Sequence, residues 1–416
     1  MTTHALIERL NLLQSQNRWP ESKQLLESYL ADDPQNWLAR LYYVNTLLNL
    51  GEKKKVRELT DGLLAEEPDN PAVLHLAARV ELNDEQPKVA EQYAKLMLQL
   101  DAGDVDAYVL LGRIKLHQRN YDAALDYAEQ ALALEPEDPD ALNLRIYVSS
   151  FLNKGDTDSS IGEALSVNPE DPGTIANHGL HLLRQGKVNE ALERLQYALS
   201  LDPTNELARF VMLQALRARF LPYRLYFKYQ QAMARLSGGA SMAVIIGLWV
   251  GVQLLQRVGR SNPDLAVITD PLVYVLVGLF ILTWIIDPLM NFYLLTNRYG
   301  RLLLDDDDKL MARLTGGSLG LSVLCLLGYL ISGGYRELAL AAAFLLLTIP
   351  LGSFLRPFRK SQRQLTTAAT VGIAVLGLGG ILLDVGFVVN LALFGLLGYQ
   401  FLLNGIMVKE GGRTFD

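Results

Sequence analysis

Few side chains in this 416-residue chain have the type and spacing that chemistry requires. His178 and His181 stand at i, i+3, which puts two imidazoles on one helix face. No carboxylate or third ligand accompanies them at metal spacing, so ordinary helix positions are expected. Cys325 is the single cysteine, which excludes an intramolecular disulfide and a cysteine-based zinc site. Asp287, in the run WIIDPLMNF, is a carboxylate inside an apolar stretch and is followed by Pro288. The pair could open a helix and expose carbonyls along an ion or proton path. An interfacial position or a hydrogen bond to a neighbouring helix is the favoured account, and no Lys or Arg within the apolar stretches partners it. The run Asp305 to Asp308 could attract a divalent cation, but a solvated loop that caps the following apolar helix is the expected role. There is no nucleophile elbow, no phosphate-binding glycine loop and no H-E-x-x-H. Neither an enzyme nor a cofactor is expected.

The two halves differ in character. Residues 1–210 hold 20 Lys+Arg against 34 Asp+Glu, a net charge of −14. Residues 211–416 hold 18 against 11, a net of +7, and are strongly apolar. An acidic polar half joined to a basic apolar one suggests a membrane protein with a cytosolic domain. It argues against nucleic acid, because the acidic half repels phosphates. The N-terminal MTTHALIERLNLLQSQ is amphipathic and lacks the apolar core of a signal peptide, so this half is expected to stay where it is made.

Val105 to Pro136 carries two helical apolar patterns around a polar turn at Gln118–Asp122. Gly112, Ala124 and Ala131 are small where the two helices would cross, which lets backbones approach to roughly 8–10 Å. The closing proline recurs at Pro34, Pro68, Pro136, Pro169 and Pro203, with Ala102 filling the one gap, at spacings of 34, 34, 34, 33 and 34. The small set returns as Gly179, Ala191 and Ala198, and in part as Ala78 and Ala90 with Met97. The first, second and fifth units are degenerate, with Leu10, Val44 and Arg145 in place of the glycine, and the fifth is one residue short.

This pattern resembles the tetratricopeptide repeat, a 34-residue helix–turn–helix unit. The resemblance implies about six repeats stacked into a superhelical solenoid, because one unit cannot bury its apolar face alone. In that family the first helix of each repeat lines a concave groove. Carried over by position, the groove residues here are Asn45, His75, Arg79, Arg113, His117, Asn143, Asn177 and Arg184. Arg79 and Arg113 share one repeat position, so a protein partner with an acidic segment is the expected ligand. The position that carries lysine in the chaperone-binding members holds Leu41, His75, Val109, Leu142 and Ala176, so chaperone-tail binding is not expected.

The expected organisation is a solenoid over 1–205, capping and basic-aromatic interfacial helices over 206–240, and a six-helix transmembrane bundle over 241–416. In the middle segment Arg217, Arg219, Arg224, Lys228 and Arg235 alternate with aromatics that include Tyr223 and Tyr226. Beside an apolar span, these residues are expected at the membrane interface, and Pro222 should start their helix. Six apolar runs are long enough to cross about 30 Å of hydrocarbon. With the N-terminus inside, 15 basic residues fall inside and three outside (Arg257, Arg260, Arg336). That bias predicts a multi-pass protein of the bacterial inner membrane with both termini cytoplasmic. Gly-x-x-x-Gly pairs at Gly247–Gly251 and Gly316–Gly320 would allow helix contact within the bundle or between subunits. The expected function is a membrane-anchored scaffold whose cytosolic groove captures a protein segment. Its rivals are a transporter or channel with Asp287 as the polar site, and a membrane enzyme acting on lipid or glycan.

Overall fold

The computed structural model describes residues 2–16, 18–236, 238–357 and 360–410. Of the basic residues counted as inside, Arg359 and Arg413 lie outside these segments. All regular structure among the described residues is helical. The chain forms two compact units that divide between Met212 and Leu213.

The first unit is six helical pairs and the start of a thirteenth helix. The pairs are α1 (Thr3–Ser15) with α2 (Trp19–Asp32), α3 (Trp37–Asn49) with α4 (Lys53–Glu66), and α5 (Pro71–Asn83) with α6 (Pro87–Leu100). They continue with α7 (Val105–His117) and α8 (Tyr121–Leu134), α9 (Pro139–Leu152) and α10 (Thr157–Val167), and α11 (Pro172–Gln185) and α12 (Val188–Leu201), followed by α13 (Glu206–Arg217). The architecture is a solenoid of the tetratricopeptide type.

The period is written in the backbone as well as in the prolines. Thr2, Asn36, Asn70, Asp104, Asp138 and Asp171 each cap the first helix of a pair by accepting a backbone N–H. Asn205 does the same for α13, from Ala208 N at 2.8 Å, so α13 begins as a seventh first helix. First helices close with a bond from an N–H to the carbonyl five residues back, as in Gln86 to Glu81 and Asn120 to Lys115, both 2.8 Å. That closure needs one left-handed residue, and it falls on Gly51, Glu85, Arg119, Asn153 and Gly186. The missing residue of the fifth unit lies in its second half, where α10 has 11 residues against 14 in α8 and α12, so the fully buried Ile146, and not Arg145 as the proline spacing suggests, takes the place of the glycine.

Glu85 and Arg119 hold φ of 63° and 58° without the freedom of glycine. Glu85→Gly and Arg119→Gly are each expected to stabilise the solenoid by about 1 kcal/mol, the steric cost that an L side chain meets there. Chemical denaturation of the two variants against wild type checks this.

The core forms where small residues let helices close. Ala124, Ala128 and Ala131 are fully buried between α7, α8 and α9. A Cβ on Gly112 would lie 2.4 Å from Leu144 Cδ2 and 3.3 Å from the Ala124 carbonyl oxygen, so the glycine marks the crossing that its spacing predicts. Gly179 holds a similar relation to Leu195.

The second unit contains the end of α13, then α14 (Leu221–Arg235), α15 (Gly238–Ser261), α16 (Pro263–Thr296), α17 (Arg298–Leu303), α18 (Asp306–Ser332), α19 (Tyr335–Leu351), α20 (Lys360–Leu382) and α21 (Gly386–Glu410). Pro222 stands in the first turn of α14, where its missing N–H costs nothing. α18 pairs with α19 and α20 with α21 as hairpins. The second hairpin turns at Asp384, with φ 58°, and Gly380 lets its backbone approach Val389. Asp305 caps α18 by accepting from Asp308 N at 2.6 Å, and Asp307 pairs with Arg363 at 2.7 Å.

Four helices among the described residues are long and apolar enough to cross a membrane: Asp264–Thr296, Asp306–Ser332, Lys360–Leu382 and Gly386–Ile406. Of the six runs expected, α19 has only 17 residues, and α15 opens on residues 238–242, whose side chains lie outside the description. Gly316 of the expected glycine pairs meets Phe292, while Gly247, Gly251 and Gly320 face no atom within 4 Å.

Candidate functional site: a polar cavity on the repeat helices

The first helices of successive repeats present one face to a common concavity of about 690 Å³. Asn45, His75, Arg79 and Arg113 line it, together with the apolar Leu38, Leu41 and Val109. Their elements explain the alignment. Asn45, Arg79 and Arg113 are 34 residues apart on α3, α5 and α7, and a stacked repeat places equivalent positions side by side. Arg79 Nη1 donates to Asn45 Oδ1 at 2.8 Å, and Asn45 Nδ2 donates to Gln14 Oε1 at 3.4 Å. Arg113 pairs with Asp140 at 2.5 Å, with nearly half of its side chain exposed. An exposed pair of this kind contributes little to stability, about 0–1 kcal/mol, and can open to a ligand.

Three carboxylates share the cavity: Asp104, Asp106 and Asp140. Asp104 caps α7, and the other two stand in the first turns of α7 and α9. The groove residues carried over from the family do not name them, although Asp106 stands second in its repeat, one of the family's groove-facing positions. Their signal is the N-cap pattern, because a cap at the start of one groove helix is adjacent to the groove residues of the helix before it. The two guanidiniums are therefore balanced, and the cavity is not a simple acceptor for acidic groups.

His75 lies between these charges. Burial first, then the Arg79 and Arg113 guanidiniums, push its imidazole down to about 4. The unfolded chain protonates this histidine near 6.5, so between there and about 4 the unfolded state holds the extra proton. The contribution of His75 to stability is thus complete above about pH 6.5 and is lost as pH falls toward 4. An NMR titration of the ring is expected to give its midpoint near 4, and Arg79→Gln should move it upward.

The remaining expected groove residues are placed elsewhere. Asn143 and Asn177 form a ladder between repeats: Asn143 Oδ1 accepts from Asn177 Nδ2 at 2.9 Å and from the Thr174 hydroxyl at 3.1 Å. Asn177 is buried, so it holds α9 to α11 and offers little to a ligand. Arg184 stacks over Tyr147 and Phe151, 5.1 and 5.4 Å from their ring centres, and donates to the Tyr147 carbonyl. His117 is half-buried in the last turn of α7 and outside the lining of the cavity. His181 is buried against the Ser150 hydroxyl at 3.0 Å, and no metal-binding cluster occurs among the described residues.

The second unit has its own polar cluster. Arg217 Nη2 donates to Asn291 Oδ1 at 2.5 Å, and Arg217 Nη1 lies 4.0 Å from Asp287. The Tyr226 hydroxyl donates to Asp287 Oδ2 at 3.4 Å, and Asn291 Nδ2 donates to Asp308 at 3.5 Å. Burial, then the Asp287 carboxylate, push the Tyr226 phenol up, which keeps it a donor. Asp287 therefore has a cationic neighbour, supplied from outside the apolar runs. Two residues expected at the interface turn inward instead: Arg217 is only 15% exposed, and Tyr223 is 2% exposed. Tyr223 and Phe227 are one turn apart on α14 and both are buried. Arg224 is half-buried, its Nε donating to the Ala218 carbonyl, whereas Arg219, Lys228 and Arg235 are exposed.

The family comparison agrees with this architecture. The tetratricopeptide-repeat family matches residues 13–80 and again 105–138. The N-terminal half of the chain therefore contains tetratricopeptide repeats. Among solved structures it is similar to a thermophilic TPR protein of Thermus thermophilus, 21% identical over 43% of this chain and 98% of that one, with a TM-score of 0.39. It is also similar to PilW, a widely conserved type IV pilus biogenesis factor, 18% identical over 50% and 97%, with a TM-score of 0.40. A third is YrrB, a TPR protein with an unusual peptide-binding site, 19% identical over 44% and 95%, with a TM-score of 0.29. No curated protein matches the chain.

Proposed function

We propose that this protein is a membrane-anchored scaffold whose repeat domain binds a segment of a partner protein in the cavity between α3, α5 and α7. The observation that carries the reading is the lining itself. Apolar Leu38, Leu41 and Val109 alternate with Asn45, Arg79, Arg113 and Asp140, a mixture that suits an extended polypeptide bearing polar and charged side chains. Balanced charge favours a partner segment of mixed sign over a purely acidic one. The four long apolar helices support anchorage in a bilayer; the proposal adds α15 and α19 as two further spans, and the charge bias of the sequence favours both termini on the cytoplasmic side.

A photo-crosslinking residue placed in the full chain at Leu41 or Val109 tests this. One discrete protein adduct is expected from both sites, and Arg79→Glu with Arg113→Glu should abolish it. Equal adducts from Leu134, exposed on α8 and absent from the cavity lining, would sink the idea. The transporter reading loses support from the pairing of Asp287, because a carboxylate held by Arg217 and Tyr226 is suited to joining helices.

A further inference from the structure

A second concavity, of about 280 Å³, lies among α19, α20 and α21, and every side chain lining it is apolar. Its floor is kept low by small residues: Ala339 and Ala343 on α19, Gly377 on α20 and Ala392 on α21. α20 and α21 are two of the four helices suited to a bilayer, and the surface around the groove mouth is apolar and open. Leu382, Leu383 and Phe387 are 53%, 76% and 77% exposed. In water such a groove would be costly; in a bilayer it is a place for hydrocarbon.

Two observations say what fills it. One is length. From Ala339 to Leu347 the lining rises about 12 Å along α19 at roughly 1.5 Å per residue. That approaches the roughly 15 Å half-thickness of a hydrocarbon core. The other is charge. Arg336 stands one turn before Ala339, and its guanidinium donates to the carbonyl of Leu382, the residue after the groove-lining Ile381. One side chain thus bridges the two walls at the mouth. A guanidinium has five N–H donors and a fork that fits phosphate, so the bond to Leu382 leaves donors for a headgroup. The neighbouring carboxylates are Glu337, which folds back toward Gly334, and Asp384 in the hairpin turn.

We infer that this groove is a phospholipid site, with one acyl chain lying along Ala339, Ala343, Gly377 and Ala392 and the phosphate held by Arg336. The inference rests on the membrane-anchored reading. It assigns Arg336, one of three basic residues on the outer side by the charge bias, to lipid binding in the outer leaflet.

The test uses the full chain in nanodiscs of phosphatidylcholine doped with phosphatidylglycerol carrying a diazirine midway along one acyl chain. Crosslinks are expected to concentrate on residues 339–347 and 377–381, above the level on exposed positions of α16. Arg336→Gln keeps a donor for Leu382 but cannot fork a phosphate, and labelling of the groove should fall about tenfold, as for one lost charge-assisted hydrogen bond. Ala343→Leu, which fills the floor, should suppress labelling there while sparing α16. Even labelling of all apolar surfaces, or labelling unchanged by both substitutions, overturns the site. So do crosslinks from a second copy in place of lipid. A chain that never enters the nanodisc overturns the membrane reading and the site with it, whereas a chain that inserts without groove labelling overturns the site alone.

Discussion

Arg217→Ala is expected to lower the stability of the full chain by about 3 kcal/mol, the cost of removing one partner from a buried charged pair. The substitution leaves Asn291 Oδ1 without its 2.5 Å donor and leaves Asp287, among the described residues, with the Tyr226 hydroxyl. Both charged side chains are largely out of solvent, at 15% and 20% exposure, so water replaces little of what is lost. The distance to Asp287 is long for an ion pair, and much of the effect should therefore come through Asn291. A double-mutant cycle with Asp287→Asn separates the two. A coupling of about 1 kcal/mol is expected from residues in one network. Thermal unfolding of the detergent-solubilised protein reads it. The transporter reading makes the opposite forecast: Asp287→Asn would abolish solute flux in vesicles with stability unchanged.

Leu111→Ala should cost about 3 kcal/mol, within the range for emptying a fully buried leucine site. Leu111 has no exposure and packs with Leu74, Ala78, Ala90, Ala94 and Met97, so it joins the third repeat to the fourth. The small residues that close this contact cannot rearrange to fill the space, because alanine has no rotamers to offer. A solenoid transmits such damage mainly to its neighbours. Hydrogen exchange should therefore quicken across α5–α8 and much less in α1 and α12. Uniform acceleration across all six repeats would show that the domain unfolds as one unit.

The repeat domain was legible because its signals are local and periodic. A proline recurring at intervals of 33 or 34 residues with one gap, small residues at the crossings of the third, fourth and sixth units, and a cap before each first helix follow from backbone geometry and steric fit. The same regularity placed Asn45, Arg79 and Arg113 on one face. Family positions carried the other groove residues less well. Asn177 and Arg184 occupy groove positions, yet they hydrogen-bond and stack between repeats, because neighbouring side chains compete for the same donors.

The sequence by itself determined the helical class, the repeat period, the charge contrast between halves and the presence of long apolar helices in the second half, all of which depend on residue type and spacing along the chain. Tertiary structure alone decided what the ionisable residues face. Asp140 meets Arg113 across 27 residues, Arg217 approaches Asp287 across 70, and Arg336 reaches Leu382 across 46. Electrostatic and hydrogen-bond energies depend on separations of a few ångströms in space, and no one-dimensional pattern records those distances.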